Sequence, residues 1–523
     1  MSAHPLGSDT IAAIATPPGR GAVALLRVSG PGALAVLRRL ALSLEDAPEP
    51  RRQRLLALRH PETGELLDRA LVTWFPAPAS YTGEDTVEIA THGGVLTPQL
   101  VLDALLAAGA RAAEPGEFTR RAYLNGKLDL LQAEAVLDLI DGRSRALHRA
   151  AVHQMERGLS RRVAELRDAV IGTEALIAYS IDFPEEDEPP VPPERVRASA
   201  GDILHRLDAL LATAPEGELL RDGALTVLAG RPNSGKSSLF NALLGVERAI
   251  VTDVPGTTRD ALEASVTLDG YPFRLVDTAG LRETADRVEE IGIEVARRYL
   301  AAADIVLFCV EAGREMDGDE RKFVGEIGRA RVIIVRTKAD LHRAAPEEDP
   351  VDDAPSIRVA STDADPVDDT RSMLVASLDV DPVDDARSIR VASSDADSVE
   401  DTRSMLVTSS DADPVDEARS IRVAAAEGAG LTELRDALLA MAFGGILGEP
   451  GEAPLVTRAR HARALRAARD EIAGFLEAME LSIPMELAAT HLRAAAGALE
   501  DLIGAVSIED VLDRVFGQFC VGK

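Results

Sequence analysis

The feature that most constrains this chain is a glycine-rich segment at residues 230–237, with the sequence GRPNSGKS. This is the G-x-x-x-x-G-K-S pattern of a phosphate-binding loop, in which backbone N–H groups surround phosphate oxygens. An apolar run of strand type, residues 225–229, precedes it, and residues 238–244 follow with helical spacing. This strand–loop–helix order distinguishes the motif from a chance glycine-rich turn. It predicts that Lys236 contacts phosphates and that Ser237 binds Mg²⁺.

Composition narrows the class of protein. A chain of 523 residues, 46% of them hydrophobic, predicts about three domains with separate cores. No long apolar run and no N-terminal targeting pattern is present, so we expect no transmembrane helix and no signal peptide. The two cysteines, Cys309 and Cys520, exclude a disulfide framework and favour a cytoplasmic location.

Charge and aromatic content limit how the chain can contact nucleic acid. The net charge of −30 argues against a generally basic surface, so any RNA contact must be local or shared with a partner. Aromatic residues make up only 3% of the chain, which argues against a broad base-stacking platform.

Lysine is scarce in this chain, which has 52 arginines and five lysines. Because the two side chains differ in shape, hydration and reach, each lysine is a candidate for a role that arginine cannot fill. The lysines are Lys127, Lys236, Lys322, Lys338 and Lys523. Four of them lie in motifs described here, and Lys322 does not.

Residues 1–122 have the pattern of an α/β domain. Charged residues interrupt two of its apolar strand runs, Arg27 in residues 22–30 and Glu88 in residues 86–91. Arg27 is either an edge-strand residue whose side chain reaches water or a cation that binds a ligand. Residues 69–75 are a further predicted strand, and helices are predicted over residues 31–41 and 95–108.

Two segments, residues 123–217 and 448–523, are predicted to be helical. The predicted helices cover residues 144–180, 194–213, 455–480, 484–503 and 508–519. The chain ends in Cys520-Val521-Gly522-Lys523. This tail is either frayed or carries a mobile thiol and amine into an active site.

The motifs of a GTPase follow the phosphate loop within residues 218–447. Asp277-Thr278-Ala279-Gly280 ends a strand run and matches the D-x-x-G segment that contacts the γ-phosphate, while Thr337-Lys338-Ala339-Asp340 matches the guanine-reading N-K-x-D with Thr in place of Asn. Asp269-Gly270, between two strand runs, predicts a hairpin. The predicted GTP-binding residues are Asn233, Ser234, Gly235, Lys236, Ser237, Ser238, Thr252, Asp253, Val254, Pro255, Gly256, Thr257, Thr258, Asp277, Thr278, Ala279, Gly280, Thr337, Lys338, Ala339, Asp340, Ala424, Ala425 and Ala426.

The switch segment lacks the usual catalytic glutamine. Leu281 follows Gly280 at the position where a Ras-type switch carries the glutamine that orients water, so hydrolysis needs another group. Asn233 lies in the phosphate loop, where its amide oxygen could bind a monovalent cation beside the phosphates. Such a cation would supply the charge that an arginine finger supplies elsewhere.

A tandem repeat with a period of 16 residues interrupts the GTPase segment, with copies that begin at Asp349, Asp365, Asp381, Asp397 and Asp413. Residues 349–423 contain 19 acidic residues and seven arginines, a net charge of −12. We expect the last copy to supply the final strand of the domain, because it leads directly into the base-contacting loop. The other copies are then predicted to be a surface excursion.

These segments together resemble the MnmE (TrmE) family of tRNA modification GTPases over essentially the whole chain. The resemblance lies in the GTPase motifs and the Cys-Val-Gly-Lys tail. It also lies in residues 16–21 (TPPGRG), residues 81–85 (YTGED) and the run from Pro115 to Asp129. The repeats are a departure from the family pattern.

The resemblance implies a fold of three parts. Residues 1–122 would form an N-terminal α/β domain that binds folate and dimerises. Residues 123–217 and 448–523 would form a discontinuous helical domain, with a Ras-like P-loop GTPase domain, residues 218–447, inserted between them.

The resemblance also implies the roles of particular residues. Glu289 would orient the attacking water, and Cys520 would take part in the modification chemistry. The implied ligands are Arg27, Glu88, Lys127 and Lys523 for a tetrahydrofolate derivative (5-formyl- or methylene-tetrahydrofolate), Ser237 and Thr258 for Mg²⁺, and Asn233, Thr252, Val254 and Thr257 for K⁺.

The implied activity is K⁺-dependent GTP hydrolysis coupled to tRNA modification. With a flavoprotein of the MnmG (GidA) type, a homodimer would add an aminomethyl-type group to C5 of wobble uridine, and the partner would supply much of the tRNA contact. The rival interpretation is a switch GTPase of ribosome assembly that binds RNA without chemistry. This rival explains neither the folate-like first domain nor the cysteine tail.

Overall fold

The fold is described from a computed structural model. It describes residues 9–44, 46–182, 191–246, 263–277, 297–327, 332–342, 420–447, 455–504 and 515–522. No helix in these residues is long and apolar enough to cross a membrane.

The N-terminal part is a six-stranded sheet with helices on one face. Its elements are β1 (Ile11–Ile14), β2 (Val23–Ser29), α1 (Ala33–Leu40), β3 (Arg54–Arg59), β4 (Leu66–Phe75), β5 (Thr86–His92), α2 (Leu96–Ala107) and β6 (Arg111–Ala112). The strand order is β3-β4-β5-β2-β1-β6. Successive side chains of a strand face opposite sides. Leu26, Val28, Val87 and Ile89 are therefore buried together on the side covered by α1 and α2.

Helices follow the first sheet: α3 (Glu117–Leu124), α4 (Leu130–Asp141), α5 (Arg145–Met155), α6 (Gly158–Asp182), α7 (Pro193–Ala212) and α8 (Ala214–Asp222). The prediction of one helix over residues 144–180 is wrong, because the chain turns between α5 and α6. Arg157 adopts a left-handed backbone with φ of 65°. The His153 ring packs directly over Gly158, where a Cβ would lie 2.2 Å from the ring.

A second six-stranded sheet contains the predicted nucleotide motifs. Its elements are β7 (Ala224–Ala229), α9 (Lys236–Val246), β8 (Glu263–Leu268), β9 (Tyr271–Asp277), β10 (Ile305–Glu311), α10 (Gly318–Ile327), β11 (Val332–Thr337), β12 (Ser420–Arg422) and α11 (Leu431–Phe443). The order is β12-β11-β10-β7-β9-β8, with every pair parallel except β8–β9.

Two local predictions for this sheet are confirmed. The β8–β9 hairpin turns at Asp269 and Gly270, whose φ angles of 48° and 85° are those of a type I′ turn. The end of the last repeat forms β12, in which Ile421 is paired with Val335 of β11. The other four copies lie outside the described residues.

Two further helices, α12 (Ala459–Glu480) and α13 (Met485–Ile503), complete a bundle with α6 and α7. Their shared core includes Leu166, Ile203, Ile472 and Leu492. The two helical segments on either side of the second sheet therefore pack as one body, although the limits of each domain stay a prediction. Most of the helix predicted over residues 508–519 lies outside the described residues. The predicted fold class, α/β together with α, is confirmed.

Candidate functional site

The loop between β7 and α9 brings the P-loop lysine to the carboxyl ends of the parallel strands. Gly230 has φ of 138°, and a side chain there would lie 2.4 Å from the carbonyl oxygen of Cys309 in β10. Only glycine fits this close approach. Lys236 Nζ donates to the carbonyl oxygens of Gly230 and Arg231 over 3.0 and 2.6 Å. The ammonium group therefore lies over the loop whose N–H groups are expected to bind phosphates.

The two side chains that fit a magnesium ion lie side by side. Ser237 Oγ donates to Asp277 Oδ2 over 2.7 Å, where α9 begins and β9 ends. Hydroxyl and carboxylate oxygens are ligands that Mg²⁺ prefers. These residues would hold the ion, which would supply positive charge to neutralise the phosphates. Thr258, the other predicted ligand, lies outside the described residues.

Thr337 joins the guanine-reading motif to the P-loop. Its Oγ1 donates to the carbonyl oxygen of Ser234 over 2.6 Å and lies 3.3 Å from that of Val310. The Thr337 side chain is buried and packs against Gly235. If Gly235 carried a Cβ, that atom would lie 3.1 Å from the Cβ of Thr337. The Thr that replaces Asn in this motif therefore has a defined structural contact, which the sequence alone did not indicate.

The predicted base-contacting segments meet at the same edge of the sheet. Ala339 N–H donates to the carbonyl oxygen of Val423 over 3.3 Å, at the point where the chain leaves β12 and enters residues 424–426. Lys338 forms an ion pair with Glu311 at 3.2 Å, and Asp340 lies in a short 3₁₀ segment, Ala339–His342. The two segments that are predicted to contact the base are therefore adjacent, while the contact of Asp340 with guanine stays a prediction.

The structure brings together Arg27 and Glu88, two of the candidate folate residues. They are directly paired across β2 and β5, and Arg27 donates to Glu88 Oε1 from Nε and Nη2 over 3.1 and 2.8 Å. Because β2 lies between β1 and β5, the interpretation of Arg27 as an edge residue is wrong.

The Arg27 guanidinium has the surroundings of a ligand-binding group. Its carbon lies 5.2 Å from the ring centre of Tyr81 and 5.7 Å from that of Phe118, which are distances for cation–π contact. Its Nη1 is buried, and no described residue accepts a hydrogen bond from it. A donor of this kind, beside a carboxylate and two aromatic rings, fits a planar heterocycle with amino and carbonyl groups.

Other candidate residues lie around the same sheet. Asn125 donates to the carbonyl oxygen of Thr82 over 2.8 Å, and Lys127 Nζ donates to that of Pro78 over 3.1 Å. Residues 81–85 (YTGED) and residues 124–129 (LNGKLD) are therefore in contact through Asn125 and Thr82.

The C-terminal tail returns to the first sheet. Phe516 and Phe519 are buried, Gly116 N–H donates to the carbonyl oxygen of Cys520 over 3.5 Å, and Gly522 packs against Ile14. For residues 520–522, the described part of the terminal tail, the interpretation as a frayed end is thus wrong. Cys520 is exposed, and the position of Lys523 lies outside the described residues.

Sequence reasoning missed a buried ion network around Arg121, which is 2% exposed. Arg121 pairs with Asp9 at 2.7 Å, Glu84 at 3.2 Å and Glu117 at 2.9 Å. Burial alone would raise the pKa of Glu117, but its hydrogen bonds with Arg111, Glu114 N–H and Arg121 hold that pKa below its ordinary value. The i, i+4 spacing of Glu117 and Arg121 was the available signal.

A second missed network joins the two helical segments. Arg460 in α12 forms a two-point contact with Glu134 in α4 at 3.0 Å, and His461 faces the same carboxylate. Burial lowers the pKa of His461, although the facing carboxylate of Glu134 acts to raise it. Burial acts to raise the pKa of Glu134, but His461 and Arg460 hold it below its ordinary value.

Part of the predicted site lies outside the described residues. This applies to Thr252, Asp253, Val254, Pro255, Gly256, Thr257, Thr258, Thr278, Ala279, Gly280, Glu289 and Lys523. Their roles stay predictions from the sequence.

Comparisons with known proteins agree with this arrangement. Residues 130–520 match a family profile described as MnmE helical domain, and residues 10–127 match one described as GTP-binding protein TrmE N-terminus. The tRNA modification GTPase MnmE of Moorella thermoacetica is 39% identical over 98% of this chain and 99% of that protein. The protein of the same name from Azoarcus sp. strain BH72 is 38% identical over the full length of both.

The likeness to solved structures is much weaker. The G domain of the T. maritima FeoB iron transporter is 20% identical and covers 42% of this chain and 98% of that one, with a TM-score of 0.22 that carries no argument. The full-length relatives and the two family profiles are decisive, and this chain belongs to the MnmE family.

Proposed function

We propose that this chain is a K⁺-dependent GTPase that acts in tRNA modification. With a flavoprotein of the MnmG (GidA) type, it adds a carboxymethylaminomethyl or aminomethyl group to C5 of wobble uridine, using a folate one-carbon unit. The observation that carries this proposal is the similarity to a tRNA modification GTPase over 98% of the chain. The described parts of the nucleotide motifs, which lie together at one sheet edge, support the GTPase part.

The proposed K⁺ requirement depends on Asn233. This residue lies in the P-loop with φ of 61°, and its side chain is exposed at the phosphate-facing end of the sheet. Its amide oxygen is an uncharged ligand that suits a monovalent cation. Asn233 would hold the cation, which would supply positive charge beside the phosphates. We assign the positioning of the attacking water to Glu289.

The proposed homodimer would use the open face of the first sheet. Leu55, Leu71, Ala90 and Leu25 are aligned across β3, β4, β5 and β2, so they form one apolar row on the face opposite α1 and α2. Leu55 is 63% exposed and Leu71 is 42% exposed. A second copy of the same sheet would remove this row from water.

GTP turnover in K⁺ against Na⁺, at matched ionic strength, tests the GTPase mechanism. We expect turnover to be faster in K⁺ by at least about tenfold, equivalent to about 1.4 kcal/mol of transition-state stabilisation. Asn233→Ala should remove the difference between the two cations. Asn241→Ala, at an exposed asparagine on α9, the helix that follows the P-loop, should retain it. Equal turnover of the unmodified chain in the two salts would refute the K⁺ mechanism.

Binding of 5-formyltetrahydrofolate tests the modification function against the ribosome-assembly alternative. Arg27→Gln should weaken binding by about 10- to 100-fold, because a charged hydrogen bond contributes about 1.5–3 kcal/mol. Arg69→Gln, an exposed position on β4 of the same sheet, should bind like the unmodified chain. Isothermal titration calorimetry measures both. No binding by the unmodified chain would favour the alternative function.

A further inference from the structure

A local departure from the acidic character of this chain is a basic surface on α5 and the start of α6. Residues 143–162 contain six arginines, two histidines and one acidic residue, in a chain whose net charge is −30. The six are Arg143, Arg145, Arg149, Arg157, Arg161 and Arg162, and all of them are exposed. We call these six residues the α5 basic surface.

The fold presents these arginines together. Arg145 and Arg149 are one helical turn apart on the exposed side of α5, whose other side buries Ala146, Leu147, Ala151 and Gln154. The left-handed turn at Arg157 then begins α6, where Arg161 and Arg162 are exposed in the first turns. The surface therefore combines a helix face with the turn that follows it.

Several arginines elsewhere in the helical segments are paired with acids. Arg167 pairs with Glu500 at 2.7 Å, Arg469 with Asp208 at 3.1 Å and Arg493 with Glu174 at 2.6 Å. Within the α5 basic surface, the one ion pair among described residues joins Arg162 to Glu165 at 3.4 Å. Positive charge that its own chain leaves uncompensated favours a polyanionic partner.

We propose that the α5 basic surface binds the phosphate backbone of tRNA. This inference rests on the proposed function and adds the location of the contact. The planar fork of arginine matches phosphate oxygens, and five of the six arginines have no ion-pair partner among the described residues. Residues 143–162 contain no Phe, Trp or Tyr, so the surface contacts the backbone and does not stack on bases.

The test uses the full chain and unmodified tRNA. The triple variant Arg149→Gln, Arg161→Gln, Arg162→Gln removes three charges from the surface. Arg145 is left in place because it packs against Gly270 of the β8–β9 hairpin. The matched control, Arg195→Gln, Arg197→Gln, Arg466→Gln, removes three exposed charges from α7 and α12.

Fluorescence anisotropy measures tRNA binding as a function of KCl concentration. We expect the surface variant to bind about tenfold more weakly at low salt. The slope of log K against log salt should become shallower by about 2, since each lost phosphate contact lowers it by up to about 1. The control variant should keep the affinity and slope of the unmodified chain. GTP turnover without RNA should be unchanged in both variants, which shows that they fold.

Three results would overturn the inference. The first is an unchanged salt slope in the surface variant, and the second is an equal loss in the control variant. The third is binding of the unmodified chain to anionic lipid vesicles or polyglutamate but not to tRNA. If the surface variant binds tRNA normally while K⁺-dependent GTP turnover persists, the inference fails and the proposed function stands.

Discussion

Replacing Arg121 by Met is expected to lower the free energy of unfolding of the N-terminal sheet domain by about 3–5 kcal/mol. Arg121 is buried among Asp9, Glu84 and Glu117, and removing its guanidinium leaves these carboxylates with fewer partners. Met keeps most of the volume, so the loss measures the charge and not a cavity.

The single tryptophan of the chain makes this measurement specific. Trp74 lies on β4 of the same sheet, so its fluorescence during urea unfolding reports on this domain. Arg38→Met, an exposed position on α1, is the control and should change stability by no more than about 0.5 kcal/mol. Identical unfolding curves for the two variants would show that the network contributes little.

The difference between the unmodified chain and Arg121→Met should depend on pH. Burial acts to raise the pKa of Asp9, but hydrogen bonds from Arg111 and Arg121 lower it from 3.8, and the pKa of Glu117 is likewise lowered from 4.5. A lowered folded-state pKa stabilises the fold above the unfolded-state value, and that stabilisation is lost as pH falls through the folded-state value. The difference should therefore be largest at neutral pH and shrink as pH falls below the ordinary carboxyl range. A difference that grows on acidification would contradict this assignment.

Replacing Thr337 by Val is expected to weaken GTP binding by about 5- to 150-fold, the equivalent of 1–3 kcal/mol. Val has nearly the same shape but cannot donate, so the buried carbonyl oxygen of Ser234 loses its 2.6 Å partner. The P-loop then loses the hydrogen bond that links it to the guanine-reading motif. Thr337→Ser, which retains the hydroxyl, should bind GTP nearly as well as the unmodified chain.

Comparing GTP with inosine triphosphate, which lacks the 2-amino group, distinguishes two effects on binding. One is the support of the P-loop by Thr337, and the other is the recognition of guanine by Asp340. Thr337→Val should weaken both nucleotides by the same factor, because its hydroxyl contacts the P-loop and not the base. Asp340→Ala should instead reduce the preference for GTP, since its carboxylate is assigned to the guanine N–H groups. Titrations with fluorescent analogues give both ratios. If Thr337→Val changed the preference for GTP over inosine triphosphate, the proposed role of Thr337 in supporting the P-loop would be refuted.

Structural elements whose conformation depends on residues adjacent in the sequence could be predicted from the sequence. The P-loop and the Asp269-Gly270 hairpin each follow from backbone conformations that a few residues impose on themselves. The final strand at Ser420–Arg422 was predicted because its apolar pattern leads into a recognisable loop. The break between α5 and α6 was missed, because apolar spacing continues through it while Arg157 turns the chain.

The sequence by itself determined the family and the nucleotide motifs, because their residue types and spacing carry the chemistry within short segments. Only the tertiary structure decided which distant charges meet. Arg27 faces Glu88 because β2 and β5 are neighbours in one register, and Arg121 reaches Asp9 across 112 positions of chain. Spacing along a chain does not specify strand neighbours or helix packing. Strand neighbours and helix packing are set by the burial of apolar faces, and they determine which charged side chains lie close enough to pair.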